Sequence, residues 1–402
     1  MRAGYKQTQI GIIPKTWEAI ALGEIGEPLI GLTYDPEDIR TDGTLVLRSS
    51  NIDDGTLRFD DIVCVSSAVP ERIMVRKDDI LICVRNGSRN LIGKCAILDE
   101  RAQGMTFGAF MSVLRTPHAR FVYHQLQSQV VRKQIDNHLG ATINQITNSS
   151  LKSFVIPFPD TECERSTIAT ALSDVDALIS SLDKLIAKKL DIKQAAMQQL
   201  LTGRLRLPGF DGEWEVESVQ DIGQVVTGGT PKTDVREYWG DEYPWVTPTD
   251  ISQYRDLTDT ERRLTAKGLE ATARLPANTV LVTCIASIGK NAILKVEGGC
   301  NQQINAVIPK SGNSPEFLYY LFESNRQYLM ANAGTTATSI ISKSTFEGLK
   351  FPLPDPSEQR AIASVLFDMD GEIEALERRR DKTRLLKQGM MQELLTGRVR
   401  LV

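Results

Sequence analysis

Residues 157–207 read PFPDTECERSTIATALSDVDALISSLDKLIAKKLDIKQAAMQQLLTGRLRL, and residues 352–401 read PLPDPSEQRAIASVLFDMDGEIEALERRRDKTRLLKQGMMQELLTGRVRL. The Pro-x-Pro-Asp motifs that open the two stretches lie 195 residues apart. From Ile168 and Ile362 onward the matching residues lie 194 apart, and both stretches end in Leu-Leu-Thr-Gly-Arg. A period near 195 in a chain of 402 residues indicates a two-fold internal duplication.

Each copy is predicted to be one long helix, because its apolar residues recur at alternating steps of four and three. That spacing is typical of a coiled-coil seam. The residues expected to pack helix against helix are Ile168, Leu172, Val175, Ile179, Leu182, Ile186, Ile362, Leu366, Met369, Ile373 and Leu376, and Leu190 extends the first series. No Pro or Gly interrupts the first copy between Asp160 and Thr202.

A helix of about 40 residues spans about 60 Å. Neither helix can bury its seam alone, so the sequence favours an antiparallel pair; the alternative is two helices that each lie on their own domain. Gly371 and Gly389 each cost about 1 kcal/mol relative to Ala in a helix interior, which predicts bending or fraying of the second helix near them.

Composition and charge narrow the class of protein. The chain is long enough for two or three domains, and no run approaches the roughly 18 apolar residues of a membrane span. The first residues lack the apolar stretch of a signal peptide. The six cysteines form no Cys-x-x-Cys pair, which favours reduced thiols in a cytosolic protein over a structural zinc site. The net charge of −4 does not by itself indicate nucleic-acid binding.

The residues before each long helix also repeat. Trp214 matches Trp17, and residues 288–294 (IGKNAIL) match residues 92–98 (IGKCAIL). Weaker matches pair Asp250-Ile251 with Asn51-Ile52, Gly334 with Gly140, and Thr336 with Thr142. The predicted fold class is therefore α+β with a pseudo-two-fold repeat. The predicted divisions are a first globule over residues 1–155, a long helix over 156–207, a second globule over 208–350 and a second long helix over 351–402.

Local patterns predict several elements of the first globule. Strands are expected at Thr44–Leu47, Asp61–Val65, Asp79–Val84 and Cys95–Leu98, and a helix is expected at Phe121–Val131. Residues 140–150 read as a polar loop.

No catalytic constellation is visible. The three histidines all lie in the first half, so no histidine chemistry is common to both copies. Lys94 and Lys290 follow glycines but lack the spacing and the Ser or Thr of a phosphate-binding P-loop. The chain has no Pro-Pro, and therefore no Asn-Pro-Pro-aromatic motif for methylating an exocyclic amine. We expect a non-enzymatic recognition or scaffolding component without cofactor or metal.

Equivalent parts of both globules are locally basic. Residues 72–94 hold six basic residues against two acidic ones, and residues 262–295 hold six against one. Such focusing suits phosphate contacts, while polar side chains on nearby loops suit base edges. The candidate DNA-binding residues are Arg48, Asn51, Arg85, Asn86, Arg89, Lys94, Thr247, Thr249, Asp250, Ser287 and Lys290. The alternative is a solvated face with scattered charges.

Five stretches carry a family resemblance: TGGTP at 227–231, WG at 239–240, PWV at 244–246, PDPSEQRAIA at 354–363, and the two LLTGR endings. Through them the chain resembles the specificity (S) subunit of type I restriction–modification systems over essentially its full length. The first copy departs from the pattern, with LIGLT at 29–33 for the Gly-Gly-Thr-Pro turn and Cys163-Glu164-Arg165 set against Glu358-Gln359-Arg360.

The resemblance implies that each globule is a target recognition domain with a mixed α/β fold, and that the long helices form an antiparallel coiled coil that acts as a spacer. It implies a bipartite target on double-stranded DNA, with one half per globule. Two modification subunits would dock beside the spacer and bring S-adenosylmethionine and adenine methylation. Restriction subunits would add an ATP-dependent translocating nuclease, all in the cytoplasm and without a membrane.

Two other classes of function remain open on the residues alone. A coiled-coil scaffold could bridge two protein partners without reading DNA, and salt-dependent binding of duplex DNA separates that function from a DNA reader. A fused enzyme with an unrecognised site is disfavoured by the missing motifs.

Overall fold

The computed structural model describes residues 3–66, 68–139, 144–251, 255–310, 312–335 and 339–401. Two matches drawn from the sequence pair Gly334 with Gly140 and Thr336 with Thr142. Of these four positions, Gly140, Thr142 and Thr336 lie outside the described residues. The chain divides into two compact units, Met1–Asp183 with Arg378–Val402 and Lys184–Glu377. Each unit holds one globule and one half of each long helix.

The strands of the first unit are β1 (Tyr5–Thr8), β2 (Gly11–Pro14), β3 (Trp17–Ala21), β4 (Glu27–Ile30), β5 (Ile39–Arg40), β6 (Thr44–Leu47), β7 (Ile52–Asp53), β8 (Thr56–Leu57), β9 (Cys64–Val65), β10 (Ile80–Cys83), β11 (Cys95–Ile97), β12 (Thr106–Phe107), β13 (Met111–Arg115) and β14 (Val155–Pro159). The helices are α1 (Leu22–Ile25), α2 (Ala119–Leu126), α3 (Gln129–His138), α4 (Asn148–Ser153) and the long α5 (Glu162–Leu200).

The first globule is built on two four-stranded sheets, ordered β11-β10-β13-β4 and β12-β6-β9-β5. Strand β10 is buried along its whole length, as its run of Ile, Leu, Ile and Cys requires of a central strand. Strand β3 pairs with β14, so the chain leaves the globule beside the point where it entered and goes directly into α5. The predicted strands at 44–47, 79–84 and 95–98 are present within one or two residues, and the strand predicted at 61–65 is reduced to Cys64–Val65.

The helix predicted over Phe121–Val131 is two helices. Helix α2 ends at Leu126, and α3 begins after Ser128, whose side chain accepts a hydrogen bond from the Val131 amide. The serine caps the new helix by satisfying one of its unpaired amides, so the chain changes direction inside an apolar pattern that looks continuous. Part of the predicted loop over 140–150 is also helical, because Thr147 caps α4.

The strands of the second unit are β15 (Glu215–Ser218), β16 (Gly223–Thr227), β17 (Trp239–Gly240), β18 (Tyr243–Val246), β19 (Asp256–Leu257), β20 (Arg263–Leu264), β21 (Thr279–Thr283), β22 (Asn291–Leu294), β23 (Gly299–Cys300), β24 (Ile304–Pro309), β25 (Gly334–Thr335), β26 (Ser339–Ile340) and β27 (Lys350–Leu353). The helices are α6 (Val219–Ile222), α7 (Ala266–Glu270), α8 (Pro315–Ser324), α9 (Arg326–Ala331), α10 (Lys343–Glu347) and the long α11 (Pro356–Leu394).

The second globule repeats the plan of the first. Its main sheet is ordered β16-β24-β21-β22-β19, in which β16, β24, β21 and β22 correspond to β4, β13, β10 and β11. A second sheet is ordered β17-β20-β18-β23, and β15 pairs with β27 as β3 pairs with β14. The internal repeat that the sequence predicts is therefore confirmed in the order of the strands.

The ends of the long helices belong to the cores of the globules. In the first unit, one apolar cluster joins Trp17 to both long helices. It contains Ile168 and Leu172 of α5, Leu394 at the end of α11, and Leu395, which follows that end. In the second unit, Ile362 and Leu366 share a cluster with Leu200, Leu201 and the globule's aromatic residues. Ile168, Leu172, Ile362 and Leu366 thus pack against a globule as well as a helix.

The two helices run antiparallel in each unit. In the first unit Asp176 pairs with Lys387 and Asp183 with Arg380 and Arg384, so the residue numbers fall on one helix as they rise on the other. In the second unit Lys189 pairs with Glu372 and Lys193 with Asp370.

The residues of the predicted seam are buried or partly buried, with one exception. Ile179, Leu182, Ile186 and Ile373 are buried, and Val175, Met369 and Leu376 are half-buried. Leu190, which extended the predicted seam, is 47% exposed, and that extension was wrong. The alternating step continues through positions 189 and 193 instead, where lysines replace apolar residues and pair with carboxylates.

Helix α11 is continuous through Gly371 and Gly389, so the fraying predicted there does not occur. Neither glycine has a heavy atom within 4 Å of the position a Cβ would take, which places both on an open face of the helix. Among the described residues, no helix is both long and apolar enough to cross a lipid bilayer.

Candidate nucleic-acid interface

The hairpin between β10 and β11 ends in a loop that carries four of the candidate residues. Gly93, at φ 86°, closes the loop, and its amide donates to the Cys83 carbonyl at 2.8 Å. Only glycine adopts this left-handed conformation without strain. The loop exposes Arg85 and Arg89 and leaves Asn86 and Lys94 half-buried.

The contacts of these four side chains differ. The Arg85 guanidinium lies 4.9 Å from the ring centre of Phe110, and that ring is 57% exposed. Arg89 donates to the Asp136 carbonyl at 3.0 Å. Arg85, Arg89 and Lys94 pair with no carboxylate among the residues that the structure describes.

The loop at the hairpin end lies beside the turn that follows β6. The Asn86 amide donates to the Ser49 hydroxyl at 3.2 Å, which brings the candidate Arg48 and the loop into one region. Arg48 itself forms an ion pair with Asp61 at 2.6 Å. The first globule therefore gathers its candidates at neighbouring loops of one surface.

Asn51 is the exception, since its side chain is fully buried. It accepts from the Arg48 amide at 2.8 Å and donates to the carbonyls of Arg58 and Asp61 at 3.0 and 2.9 Å. These three hydrogen bonds hold the turn together, so we propose no DNA contact for the Asn51 side chain.

The second globule has the same hairpin. Gly289, at φ 82°, donates its amide to the Thr283 carbonyl at 2.9 Å, as Gly93 does to Cys83. Ser287 and Lys290 are both half-buried in this shorter loop. Ala286 also has a positive φ, 62°, which a side chain rarely adopts. Lys290 pairs with no carboxylate in the described part of the chain.

The remaining candidates form the turn after β18. Asp250 accepts from the amide and the hydroxyl of Thr247 at 2.7 and 2.6 Å, and Thr247 also contacts the exposed Thr249 at 2.7 Å. Asp250 therefore caps this turn as Asn51 caps its counterpart, which gives the sequence match between the two residues a structural cause. Thr249 is the most exposed of the three.

The structure changes the interpretation of the basic runs, because half of their twelve cations pair with acids that lie outside the runs. In residues 262–295, Arg263, Lys267, Arg274 and Lys295 pair with Asp259, Glu237, Glu297 and Glu316. In residues 72–94, Arg72 and Lys77 pair with Glu27 and Glu100. The cations without a carboxylate partner among the described residues are Arg76, Arg85, Arg89 and Lys94 in the first run and Arg262 and Lys290 in the second.

Arg262 was not among the candidates chosen from the sequence. Its guanidinium carbon lies 3.7 Å from the ring centre of Trp239 and 5.0 Å from that of Trp245, and the residue is exposed. The WG and PWV motifs place both tryptophans near Arg262 in the sequence, but the sequence does not show that the two rings meet.

The Gly-Gly-Thr-Pro turn has a packing role. A Cβ on Gly228 would lie 2.2 Å from the Asn301 carbonyl oxygen, and the Gly229 carbonyl accepts from the Trp245 indole at 3.0 Å. Gly31 occupies the same place in the first globule, where a Cβ would lie 2.2 Å from the Gly108 carbonyl oxygen. The LIGLT stretch therefore keeps the glycine that the close approach requires.

The start of each long helix is fixed by a buried glutamate. Glu164 accepts from the Trp17 indole at 3.1 Å and from two guanidinium nitrogens of Arg400, both at 2.7 Å. Glu358 accepts from Trp214 at 3.2 Å and from Arg206. Glu164 is thus the counterpart of Glu358, and aligning Cys163 with Glu358 was wrong by one residue, because the offset of 194 already holds at this position.

A second repeated contact joins each globule to both helices. Asp176 pairs with Lys387 at 2.6 Å, and Asp370 pairs with Lys193. Asp370 also accepts from the Tyr320 hydroxyl at 2.6 Å. In the first globule, His124 occupies the position that Tyr320 has in the second. Its Nδ1 lies 4.0 Å from Asp176, and its Nε2 lies 3.1 Å from the Ser173 hydroxyl. Burial lowers the pKa of His124 from 6.5 to about 3, and the Lys387 charge adds to the effect.

The family model described as the type I restriction modification DNA specificity domain matches the chain twice, at residues 14–191 and 211–383. The chain belongs to this family. Each match covers one globule and runs into the long helix that follows it, so the duplication found in the sequence is a duplication of the family's domain.

The chain is also similar to specificity subunits of type I restriction enzymes, over different shares of its length. It is 39% identical over 168 residues to the MjaIX specificity subunit of Methanocaldococcus jannaschii, covering 40% of this chain and 39% of that protein. It is 25% identical over 248 residues to the HindI specificity subunit of Haemophilus influenzae, with 55% and 54% covered. The match to the StySPI specificity subunit of Salmonella potsdam covers 88% and 81% at 25% identity. The first two matches thus span about half or less of those relatives.

Solved structures share the fold over nearly the whole chain. The S subunit of a type I restriction–modification system from M. genitalium superposes with a TM-score of 0.59 at 16% identity, covering 94% of this chain and 96% of that one. A chain from a study of the assembly and conformational transition of the type I R-M system gives 0.59 at 18% identity, covering 96% and 99%.

Proposed function

We propose that this chain is the DNA specificity subunit of a type I restriction–modification complex and that each globule reads one half of a bipartite target. The observation that carries the proposal is the double match to the DNA specificity domain, with a hairpin loop at the equivalent place in each globule that presents cations without carboxylate partners in the described chain. A cation already paired with an acid has little left to offer a phosphate.

The contacts divide by chemistry. Arg85, Arg89, Lys94 and Lys290 suit phosphate oxygens, which position a protein on DNA without reading its sequence. Asn86, Thr249 and Ser287 carry side-chain groups that hydrogen-bond to base edges from the same loops. Arg48 joins these base-contacting residues from the turn beside the first hairpin, and its charge is shared with Asp61.

The long helices act as the spacer. Helices α5 and α11 are each continuous over 39 residues, or about 58 Å at 1.5 Å per residue. We infer that this length sets the non-specific gap between the two halves of the target.

The partners are double-stranded DNA, two modification subunits and restriction subunits, as the family resemblance implies, and the complex acts in the cytoplasm. The chain itself performs no chemistry; methyl transfer to adenine and DNA cleavage belong to the partners. Leu385 and Leu386 on α11 are 68% and 58% exposed. Two adjacent exposed leucines support the docking of a partner subunit on this part of the helix.

A protein scaffold that never reads DNA is the competing function, and one experiment separates the two. The chain is produced with its modification subunits, and binding to duplex DNA is measured at increasing salt. Affinity that falls linearly on a logarithmic salt scale and differs between sequences supports the proposal. No duplex binding by the assembled complex would leave the scaffold as the function. Methyl transfer by the chain alone would contradict the non-catalytic role.

A further inference from the structure

We propose that Arg262 reads a guanine in the half-site of the second globule and that Trp239 holds it in position to do so. The inference rests on the proposed function, and it names a base-contacting residue outside the two loops described above.

The aromatic support of Arg262 is rigid. Trp239 and Trp245 meet edge to face, with ring centres 5.1 Å apart and planes at 85°. The Trp245 ring is buried and its indole donates to the Gly229 carbonyl at 3.0 Å, while the Trp239 indole donates to the Lys232 carbonyl at 3.2 Å. Arg262 lies 3.7 Å above the centre of the Trp239 ring.

The guanidinium of Arg262 has no acid to neutralise it in the described part of the chain. Arg263, the next residue, shows the opposite arrangement, since it pairs with Asp259 and donates to the carbonyls of Asp241 and Glu242 at 2.8 and 3.0 Å. Two neighbouring arginines thus have different roles: Arg263 ties strands together, and Arg262 keeps its donors available.

Arg262 also lies beside a candidate turn. The Arg262 carbonyl accepts from the Thr260 hydroxyl at 2.6 Å, and that hydroxyl accepts from the Trp245 amide at 3.1 Å. The Glu261 amide donates to Asp250 at 3.3 Å. These bonds fix the segment that carries Arg262 against the turn of Thr247 and Asp250.

Stacking decides which ligand fits. A guanidinium laid on an aromatic ring is fixed in its plane, while the N–H groups at its edge stay free to donate in parallel. Parallel donors match the O6 and N7 acceptors of guanine in the major groove. Because the plane is set before binding, less side-chain freedom is lost on contact. A phosphate needs only a positive charge, which a lysine would supply equally well.

The test uses the complete complex with its modification subunits, and methylated sites are mapped genome-wide for wild type and four variants. Arg262→Ala removes the contact, and Arg262→Lys keeps the charge without the planar fork. Trp239→Leu removes the support, and Arg274→Ala is the matched control, an exposed arginine of the same globule whose charge is taken by Glu297. Thermal melting of each complex checks that it is folded.

We expect Arg262→Ala and Arg262→Lys to lose the requirement for one G·C pair in the second half-site, with the first half-site and the gap unchanged. The discrimination at that position should fall by about 5- to 150-fold, the range of one bidentate base contact. Trp239→Leu should weaken discrimination at the same position, and Arg274→Ala should leave the motif intact.

Three results would overturn the inference. The first is an unchanged motif in folded Arg262→Ala or Arg262→Lys complexes. The second is a uniform loss of methylation at all sites in Arg262→Ala that Arg262→Lys restores, which identifies a phosphate contact. The third is a wild-type second half-site without any G·C pair. If the wild-type complex gives no bipartite motif at all, the proposed function fails instead.

Discussion

Glu358 accepts hydrogen bonds from Nε and Nη2 of Arg206 at 2.7 and 2.8 Å, and so joins the start of α11 to the segment that follows the end of α5. Glu164 and Arg400 form the same pair at the start of α5. In each unit, then, one helix is bound where it begins to the chain that leaves the other. The repeated Leu-Leu-Thr-Gly-Arg endings carry this contact, because each leads two residues later to the arginine that binds the glutamate.

Arg206→Met should destabilise the second unit, because it leaves the Glu358 carboxylate, which is 1% exposed, without its cation. Hydrogen exchange measured by peptide should rise in the second unit and stay unchanged in the first. Arg204→Met, at an exposed residue, is the control. Equal exchange in the two variants would show that the ion pair contributes little.

His124→Gln should make the first unit less sensitive to acid. Unfolded chains bind a proton at His124 below pH 6.5, whereas the folded protein does so only near pH 3, so this residue costs stability as the pH falls through that window and has no effect above it. At pH 5 the cost is about 2 kcal/mol.

The measurement is the denaturation midpoint of the first unit at pH 8 and pH 5, with wild type and variant compared at each. Relative to wild type, the denaturation midpoint of the variant should be higher at pH 5 than at pH 8. His138→Gln, at an exposed histidine, serves as the control. A shift of the same size in both variants would mean that burial of His124 is not the cause.

Lys94→Ala and Lys290→Ala should each weaken DNA binding by the complex on all sequences and make the logarithmic salt dependence shallower by about 1. Both lysines lie in the repeated Ile-Gly-Lys segment and lack a carboxylate partner in the described chain. Lys77→Ala is the control, since Lys77 is equally a lysine of the basic run but pairs with Glu100 at 2.8 Å. Unchanged affinity and slope in both test variants would assign the lysines to the fold.

Lengthening both helices by one heptad should widen the gap in the target. Seven residues inserted after Asp183 and seven after Glu377 keep the four-three seam and add about 10 Å, or about 3 base pairs. The two specific halves should stay unchanged. Insertion into α5 alone shifts one helix against the other and should reduce assembly. An active double-insertion complex that keeps the original gap would exclude the helices as the ruler.

The helices and the duplication could be predicted from the sequence because both are local and periodic. A seam residue repeats every three or four positions, and its burial follows from the period. The seam was lost at Leu190 because the period continues through Lys189 and Lys193, whose burial depends on Glu372 and Asp370 on another helix. Hydropathy along one helix does not reveal a partner of opposite charge.

The interface was harder to predict because charges in a folded chain are paired over long distances. Arg72 and Arg274 counted as free cations in the sequence, yet Glu27 and Glu297 neutralise them. Asn51 was a reasonable base-reading side chain until burial gave it three hydrogen-bond partners in its own turn. Arg262 was overlooked because its stacking depends on Trp239 and Trp245, which the sheet of β17, β20 and β18 brings together.

The most direct test of the central claim is a map of methylated adenines in cells that express this chain with its modification subunits. We expect one motif with two specific blocks separated by a gap of fixed length. Replacing residues 208–350 with the recognition domain of another specificity subunit should change one block and leave the other block and the gap unchanged. A single continuous motif, or a replacement that alters both blocks, would contradict the assignment of one half-site to each globule.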